Sequence, residues 1–317
     1  MRTKVGEMRT KLMLTFVGVV FCLAAAPLAL EQLDNLRRVA EDWTRSSFLN
    51  GIVTVHAAEK ESCESPAALL ASPVAQTASS ADEFRWSGRV ASGATVEVRG
   101  INGGISAEPA EGGEVLVTAT KSARRSDPRG VEIRVVEHAG GVVICAIYPN
   151  ADGRASTCSP DGEGHSNIRN NDVVVDFKVR VPRGVRFSGR TVNGNIETGA
   201  LGADVDARTV NGSINISAAG VASAETVNGS ITAHLGRADW SDELEFKTVN
   251  GAIMLNLPAD TNAQVSAETL NGEISTDFPL TVLGRFSRRH LNGTIGSGGR
   301  ELTLKSVNGS IQLRRAS

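Results

Sequence analysis

Aromatic side chains make up only 4% of this 317-residue chain, with a single tyrosine. A core without large rings is assembled from Val, Ile, Leu and Ala in thin layers, which favours narrow β-structure. Excess charge is missing too: 33 Lys and Arg stand against 35 Asp and Glu, a formal −2. That balance argues against a nucleic-acid partner, whose affinity would come from neutralising phosphates. Histidine and cysteine are few, five and four, and they show no metal-ligand spacing. No phosphate loop, dinucleotide fingerprint, nucleophile elbow or metalloprotease helix occurs. The sequence therefore assigns no catalytic, metal or cofactor-binding residue, and no cofactor.

The N-terminus carries more information. Arg2, Lys4, Arg9 and Lys11 precede the apolar run "LMLTFVGVVFCLAAAPLAL" at residues 12–30, the pattern of an export segment. The run is long for a cleaved signal and just long enough to span a bilayer, so residues 1–30 read as a signal peptide or an uncleaved membrane anchor. Phe21 ahead of Cys22 argues against lipid attachment. Residues 31–83 read as a short amphipathic helix, with Leu33, Leu36, Val39 and Trp43 at helical spacing, followed by a linker. Export implies a periplasmic or cell-surface location and an oxidising compartment. There Cys145 and Cys158, bracketing "AIYPNADGRAST", are the candidate disulfide.

From residue 84 the chain turns to short strands separated by glycine-rich or charged turns. The portion 84–184 is irregular, and 185–317 reads as regular coils. Glycine is abundant at 33 residues, and Asn-Gly occurs nine times. Eight copies, led by Asn102, Asn193, Asn211, Asn228, Asn250, Asn271, Asn292 and Asn308, are followed three residues later by isoleucine. The position six before the asparagine is apolar, as in Val96, Phe187 and Leu244, and that four before is mostly small or apolar. Three before stand Arg99, Arg190, Arg208, Glu225, Lys247, Glu268, Arg289 and Lys305, all charged. Such alternation predicts half-buried strands with a charged row facing water.

The last seven copies lie 16–22 residues apart, room for two short strands and two turns. An antiparallel meander with Asn-Gly hairpin turns and a β-solenoid with Asn-Gly corners both fit that spacing. The recurrence of Asn, of Ile and of Thr191, Thr209, Thr226, Thr248 and Thr269 favours the solenoid, where like residues stack in contact. Left-handed backbone conformations, which Asn and Gly tolerate, account for the residue choice at the corners. The expected fold is all-β: a parallel β-helix-like solenoid of short strands, preceded by the export segment and linker.

The "INGGI" start, the "VRVPRGVRFSGRTVNGNI" passage at 179–196 and the tandem "VNGSI" units resemble the bacterial putative-adhesin family. The resemblance covers roughly residues 84–317. It implies a β-solenoid-like domain of an exported envelope protein, and it supplies no catalytic residues.

Asp204, Asp206, Glu225, Glu245 and Glu268 alternate with basic and small polar residues and read as a solvated surface rather than a catalytic set. His290 and Arg288 break the pattern of one coil. "SPDGEGHSNIRNND" lacks the spacing of a calcium loop. The basic members of the charged row, Arg99, Arg190, Arg208, Lys247, Arg289 and Lys305, form the candidate binding stripe, suited to an anionic surface polymer. The reading is a non-enzymatic envelope or surface protein that presents a rigid solenoid face to a surface polymer, a cell surface or an envelope protein. An accessory or sensory envelope component and a carbohydrate-active β-helix enzyme are the alternatives.

Overall fold

The computed structural model describes residues 80–150, 157–160, 168, 170–240, 243–282 and 287–316. The export segment, the helix expected at 31–45, the linker up to residue 79, Cys22, Cys63, Phe286 and most of the loop at 149–171 lie outside the described residues.

Each tandem unit except that of Asn292 is one coil with two strands. The residues before the asparagine form a strand of one sheet, Asn-Gly turns the chain, and the isoleucine opens a strand of the other sheet. The Asn211 coil, with Val205–Arg208 and Ile214–Ala218, shows the plan. Val205 lies beside Phe187 and Ala222 of the adjoining coils, and Ile214 beside Ile196 and Ile231, all in parallel pairing. Like positions are thus in contact, and the architecture is a β-solenoid with, among the described residues, a ten-stranded and an eleven-stranded sheet.

Thin layers fill the space between the sheets. Ile196, Ile214, Ile231, Ile253 and Ile311 have no exposed surface, and they share the core with Val98, Ala207, Phe246 and Leu304. Fully burying one such isoleucine contributes roughly 1.5–3 kcal/mol.

The corners are joined by side chains as well as by the backbone. The side-chain amide of Asn211 donates to Oδ1 of Asn193 at 2.8 Å and accepts from Nδ2 of Asn228 at 2.8 Å. The ladder continues through Asn102, Asn250, Asn308 and Asn271. Behind it the buried hydroxyls of Thr191, Thr209, Thr226, Thr248, Ser306 and Thr269 each donate to the carbonyl of a corner glycine in the adjacent coil, at 2.8–3.1 Å. These glycines answer to sterics, not to backbone handedness. Among the corner residues only Gly103 has a left-handed φ, 125°, and no corner asparagine does. A Cβ on Gly212 would sit 2.0 Å from the carbonyl oxygen of Gly194, and the same clash recurs at Gly194, Gly229, Gly251, Gly272 and Gly309. The left-handed corner expected from the sequence is therefore corrected to a close backbone approach.

Stacking order departs from chain order at both ends. Within the eleven-stranded sheet Glu301–Asn308 lies between Leu244–Asn250 and Ala263–Asn271, parallel to both. In the other sheet Ile311–Arg315 lies between Ile253–Leu257 and Ile274–Thr276. The last coil of the chain is thus the penultimate coil of the stack. The N-terminal end mirrors this. The Asn102 coil, Thr95–Arg99 and Ile105–Pro109, sits between the Asn193 coil and a coil made by Gly141–Ile147 and Val174–Val181. That outer coil has Tyr148 where a corner would begin, and its hydroxyl reaches the carbonyls of Asn102 and Val173 at 3.2 and 3.0 Å.

The Asn292 unit is no coil. It lies inside the strand His290–Ile295, which runs antiparallel to Ala263–Asn271. The inner flank of that neighbour is already occupied by Glu301–Asn308, so this unit closes the outer flank as a hairpin. Arg288, expected at an inward position, is exposed there.

Both sheets end on edges that discourage further pairing. Ser80–Gly88 carries Asp82, Glu83 and Arg85, and Glu132–His138 carries Glu132, Arg134 and Glu137. The opposite edges, Ile274–Thr276 and Leu280–Val282, are three residues long.

Replacing Ile231 or Ile253 with Asp should cost more than about 4 kcal/mol, because an unpaired carboxylate would enter the apolar row. Gly212→Ala should be comparably damaging, although alanine is otherwise mild in an extended chain. Thermal or urea melts check both; an unchanged Tm for Gly212→Ala would show that the corners can spread.

Candidate functional site

Alternation sends two rows of each coil to the outer face of the eleven-stranded sheet. One is the charged row three before the asparagine. The other, five before it, holds Glu97, Ser188, Asp206, Ser223, Glu245, Thr303 and Ser266. In register the charged row runs Arg99, Arg190, Arg208, Glu225, Lys247, Lys305, Glu268. Five of the six basic residues expected in the stripe are therefore brought into line. Arg289 is not, because the Asn292 unit is a hairpin; it is exposed, and its Nη1 donates to the Leu270 carbonyl at 3.4 Å.

The row is not a basic strip in water. Glu97 Oε1 lies 2.7 Å from Arg99 Nε and 3.3 Å from Arg190 Nε. Asp206 lies 3.8 Å from Arg190 and 3.3 Å from Arg208, whose Nη1 is 3.9 Å from Glu225. Lys247 pairs with Glu245. The side chains of Glu97, Glu225 and Lys247 are only 11–12% exposed. Acid and base thus alternate across the coils as a ladder of partly buried pairs, which cancels most of the long-range field.

Across the N-terminal ends of these strands, small side chains leave an open groove of about 430 Å³, lined among others by Thr95, Glu97, Ser188, Arg190, Asp206 and Ser223. Ser223 Oγ donates to Asp206 at 2.8 Å, and Ser188 Oγ to the same carboxylate at 3.5 Å. His138 and Arg186 also line it. Sequence reasoning missed this groove because it followed a single row; the serines five before the asparagine were the available signal.

A disulfide joins Cys145 to Cys158, with Cα atoms 6.0 Å apart. It holds residues 157–160 against the outer face of Gly141–Ile147, beside Val143, Val136 and Ile147. Arg99 secures the same segment by donating to the carbonyls of Ser159 and Pro160 at 2.9 and 3.2 Å. This arginine therefore serves the scaffold. Among the described residues, no group of three or more His, Cys, Asp or Glu could hold a metal ion. No described helix is long and apolar enough to cross a membrane.

At the N-terminal end of the stack, Asp172 accepts the backbone N–H groups of Arg124, Arg125 and Ser126 at 3.3, 3.0 and 2.8 Å. Hydrogen bonds from Ser126 and this backbone lower its pKa from 3.8 to about 2. Nearby, Lys121 is buried and bonds Asp82 at 2.7 Å, which holds the Asp82 carboxyl below its usual range.

This geometry defines the class: a two-sheet parallel β-solenoid with stacked Asn-Gly corners and a polar outer face. Residues 194–314 match the Toastrack DUF4097 family, a domain of unknown function, and this supports the resemblance to putative adhesins. No curated protein matches the chain. Solved structures similar to it include a putative cell adhesion protein from Clostridium sporogenes, 11% identical, covering 75% of this chain and 100% of that one, with a TM-score of 0.42. A putative adhesin from Bacteroides fragilis is 8% identical over 74% of this chain and 97% of its own, with a TM-score of 0.29. One from Parabacteroides distasonis is 11% identical with the same coverage and a TM-score of 0.23.

The Asp172 contacts predict an acid limb. Its folded pKa is depressed, so its stabilising effect is full above its ordinary 3.8 and fades as the pH falls toward about 2. Asp172→Asn should lower Tm at neutral pH and make the loss of Tm below about pH 4 shallower than in the parent. Parallel melts across that range check the sign.

Proposed function

We propose that the chain is an exported, non-enzymatic envelope or surface protein whose outer solenoid face binds a polar surface polymer. The groove beside the charge ladder is the observation that carries this reading. Three coils and more contribute to it, and they present hydroxyls of Thr95, Ser188 and Ser223 alongside Glu97, Arg190 and Asp206. Adjacent coils repeat at about 4.8 Å, so similar donors and acceptors recur in steps that suit a ligand of repeating polar units. Rigidity favours binding as well, since the backbone beneath is hydrogen-bonded on both flanks and little order is lost on association.

The carboxylates support binding rather than hydrolysis. Asp206 already engages Ser188, Ser223, Arg190 and Arg208, Glu97 engages two arginines, and Asp204, which also lines the groove, accepts the Val221 N–H at 3.1 Å. A general acid or base needs a carboxyl free to exchange a proton with substrate. Because the charges balance, the ligand is recognised by hydrogen bonds, and its binding should fall only weakly with salt.

The test is binding of the purified protein to bacterial and host glycans and to envelope fractions, with an assay for released sugar ends. Ser223→Arg fills the groove from a half-exposed position and should weaken binding about tenfold or more while leaving Tm nearly unchanged. Binding untouched by this substitution would move the ligand off this face; released sugar ends would make the protein an enzyme.

A further inference from the structure

The last coil, Glu301–Asn308 with Ile311–Arg315, occupies a slot that chain order does not demand. Its neighbours, the Asn250 and Asn271 coils, are consecutive in the chain yet stand one place apart, and the last coil fills the place between them. Leu302 lies beside Leu244 and Val265, and Ile311 beside Ile253 and Ile274. Until this coil arrives, that slot leaves strand edges unpaired on both sides and a stretch of core open.

A single connector delivers the coil. Residues 296–300, "GSGGR", cross the end of Ala263–Asn271 from the hairpin strand on one flank to the inserted strand on the other. Gly296, Gly298 and Gly299 adopt φ of 57°, 74° and 99°. Ser297 is held by Asn262 Oδ1 at 2.8 Å from its backbone nitrogen.

The contacts that seat the coil lie outside this connector or at its last residue. Asn308 joins the amide ladder on both sides, Ser306 donates to Gly251, and Gly309 accepts from Thr269. Trp240 Nε1 donates to the Glu301 carbonyl at 3.0 Å, and Arg300 Nε returns a bond to the Trp240 carbonyl at 3.0 Å. None of these bonds depends on which copy supplies the coil.

We propose that the C-terminal coil is an exchangeable element, and that a second copy of this chain is the partner that fits the slot. Two chains that trade coils keep every seating contact and differ from two closed monomers only in the connector and in the entropy of association. Exchange is independent of any ligand in the groove.

Glu245 and Thr303 face each other in register. Full-length chains lacking Cys22 and Cys63 (both changed to Ser) would be prepared as Glu245→Cys and as Thr303→Cys, then unfolded and refolded together at high concentration. A disulfide-linked heterodimer should form, because only an exchanged coil brings the two positions together. Adding Gly298→Pro and Gly299→Pro to both locks φ near −65° where the closed connector turns through positive values, and should raise the linked fraction about tenfold. A control chain carrying both cysteines reports closure within one molecule. If folded mixtures yield no linked heterodimer with either connector while the control closes internally, the coil inserts only into its own chain and the proposal fails. Should the prolines prevent folding, the mixture with the natural connector decides alone.

Discussion

Everything in this solenoid rests on how closely its corners approach. A glycine Cβ would lie about 2 Å from the carbonyl oxygen of the next coil, so a side chain at these positions forces adjacent coils apart. With hydrogen there instead, the backbone of Gly212 reaches the Asn228 carbonyl at 2.9 Å, the asparagine amides chain together, and the threonine hydroxyls find the glycine carbonyls. Each bond alone is worth about 1 kcal/mol, but behind the exposed asparagine ladder the threonine bonds satisfy buried hydroxyls that would otherwise be costly. The corner therefore sets the coil spacing, and the spacing puts the isoleucines in contact.

The same spacing shapes the outer face. Side chains at equivalent positions are brought close together, so a row of like charges would repel along its length. Two devices relieve this: Glu225 interrupts the basic row, and acids five before the asparagine reach sideways into it. Where that second row is serine instead of acid, the surface dips, and the groove follows. The charge ladder and the groove thus share the same residues.

Closure of the stack is the third consequence. A solenoid end exposes both sheet edges and the open core, and a terminal coil paired on one side alone would fray. Here the first and last coils among the described residues are each tucked one place inward. The outer coils are tied down by other means: the disulfide and Arg99 at one end, the hairpin strand His290–Ile295 at the other.

Residues alone determined the repeat, the inward isoleucines, the outward charges and the solenoid, because period-two alternation and recurring Asn-Gly-x-Ile are local patterns that encode burial directly. The reason for glycine was misread from sequence: steric approach and left-handed φ select the same residue, and only neighbouring coils tell them apart. Nor could the sequence show that Asn292 belongs to a hairpin, since it carries the same Asn-Gly-x-Ile phrase as Asn308. Which unit becomes a coil is decided by competition for the flank of Ala263–Asn271, a contact between segments some 30 residues apart. The charge ladder and the groove were legible only in part for a similar reason. Glu97 and Arg190 are distant in the chain and meet because stacking places them side by side. Local composition thus determined the kind of coil, and tertiary stacking alone decided the order of the coils and the face they build together.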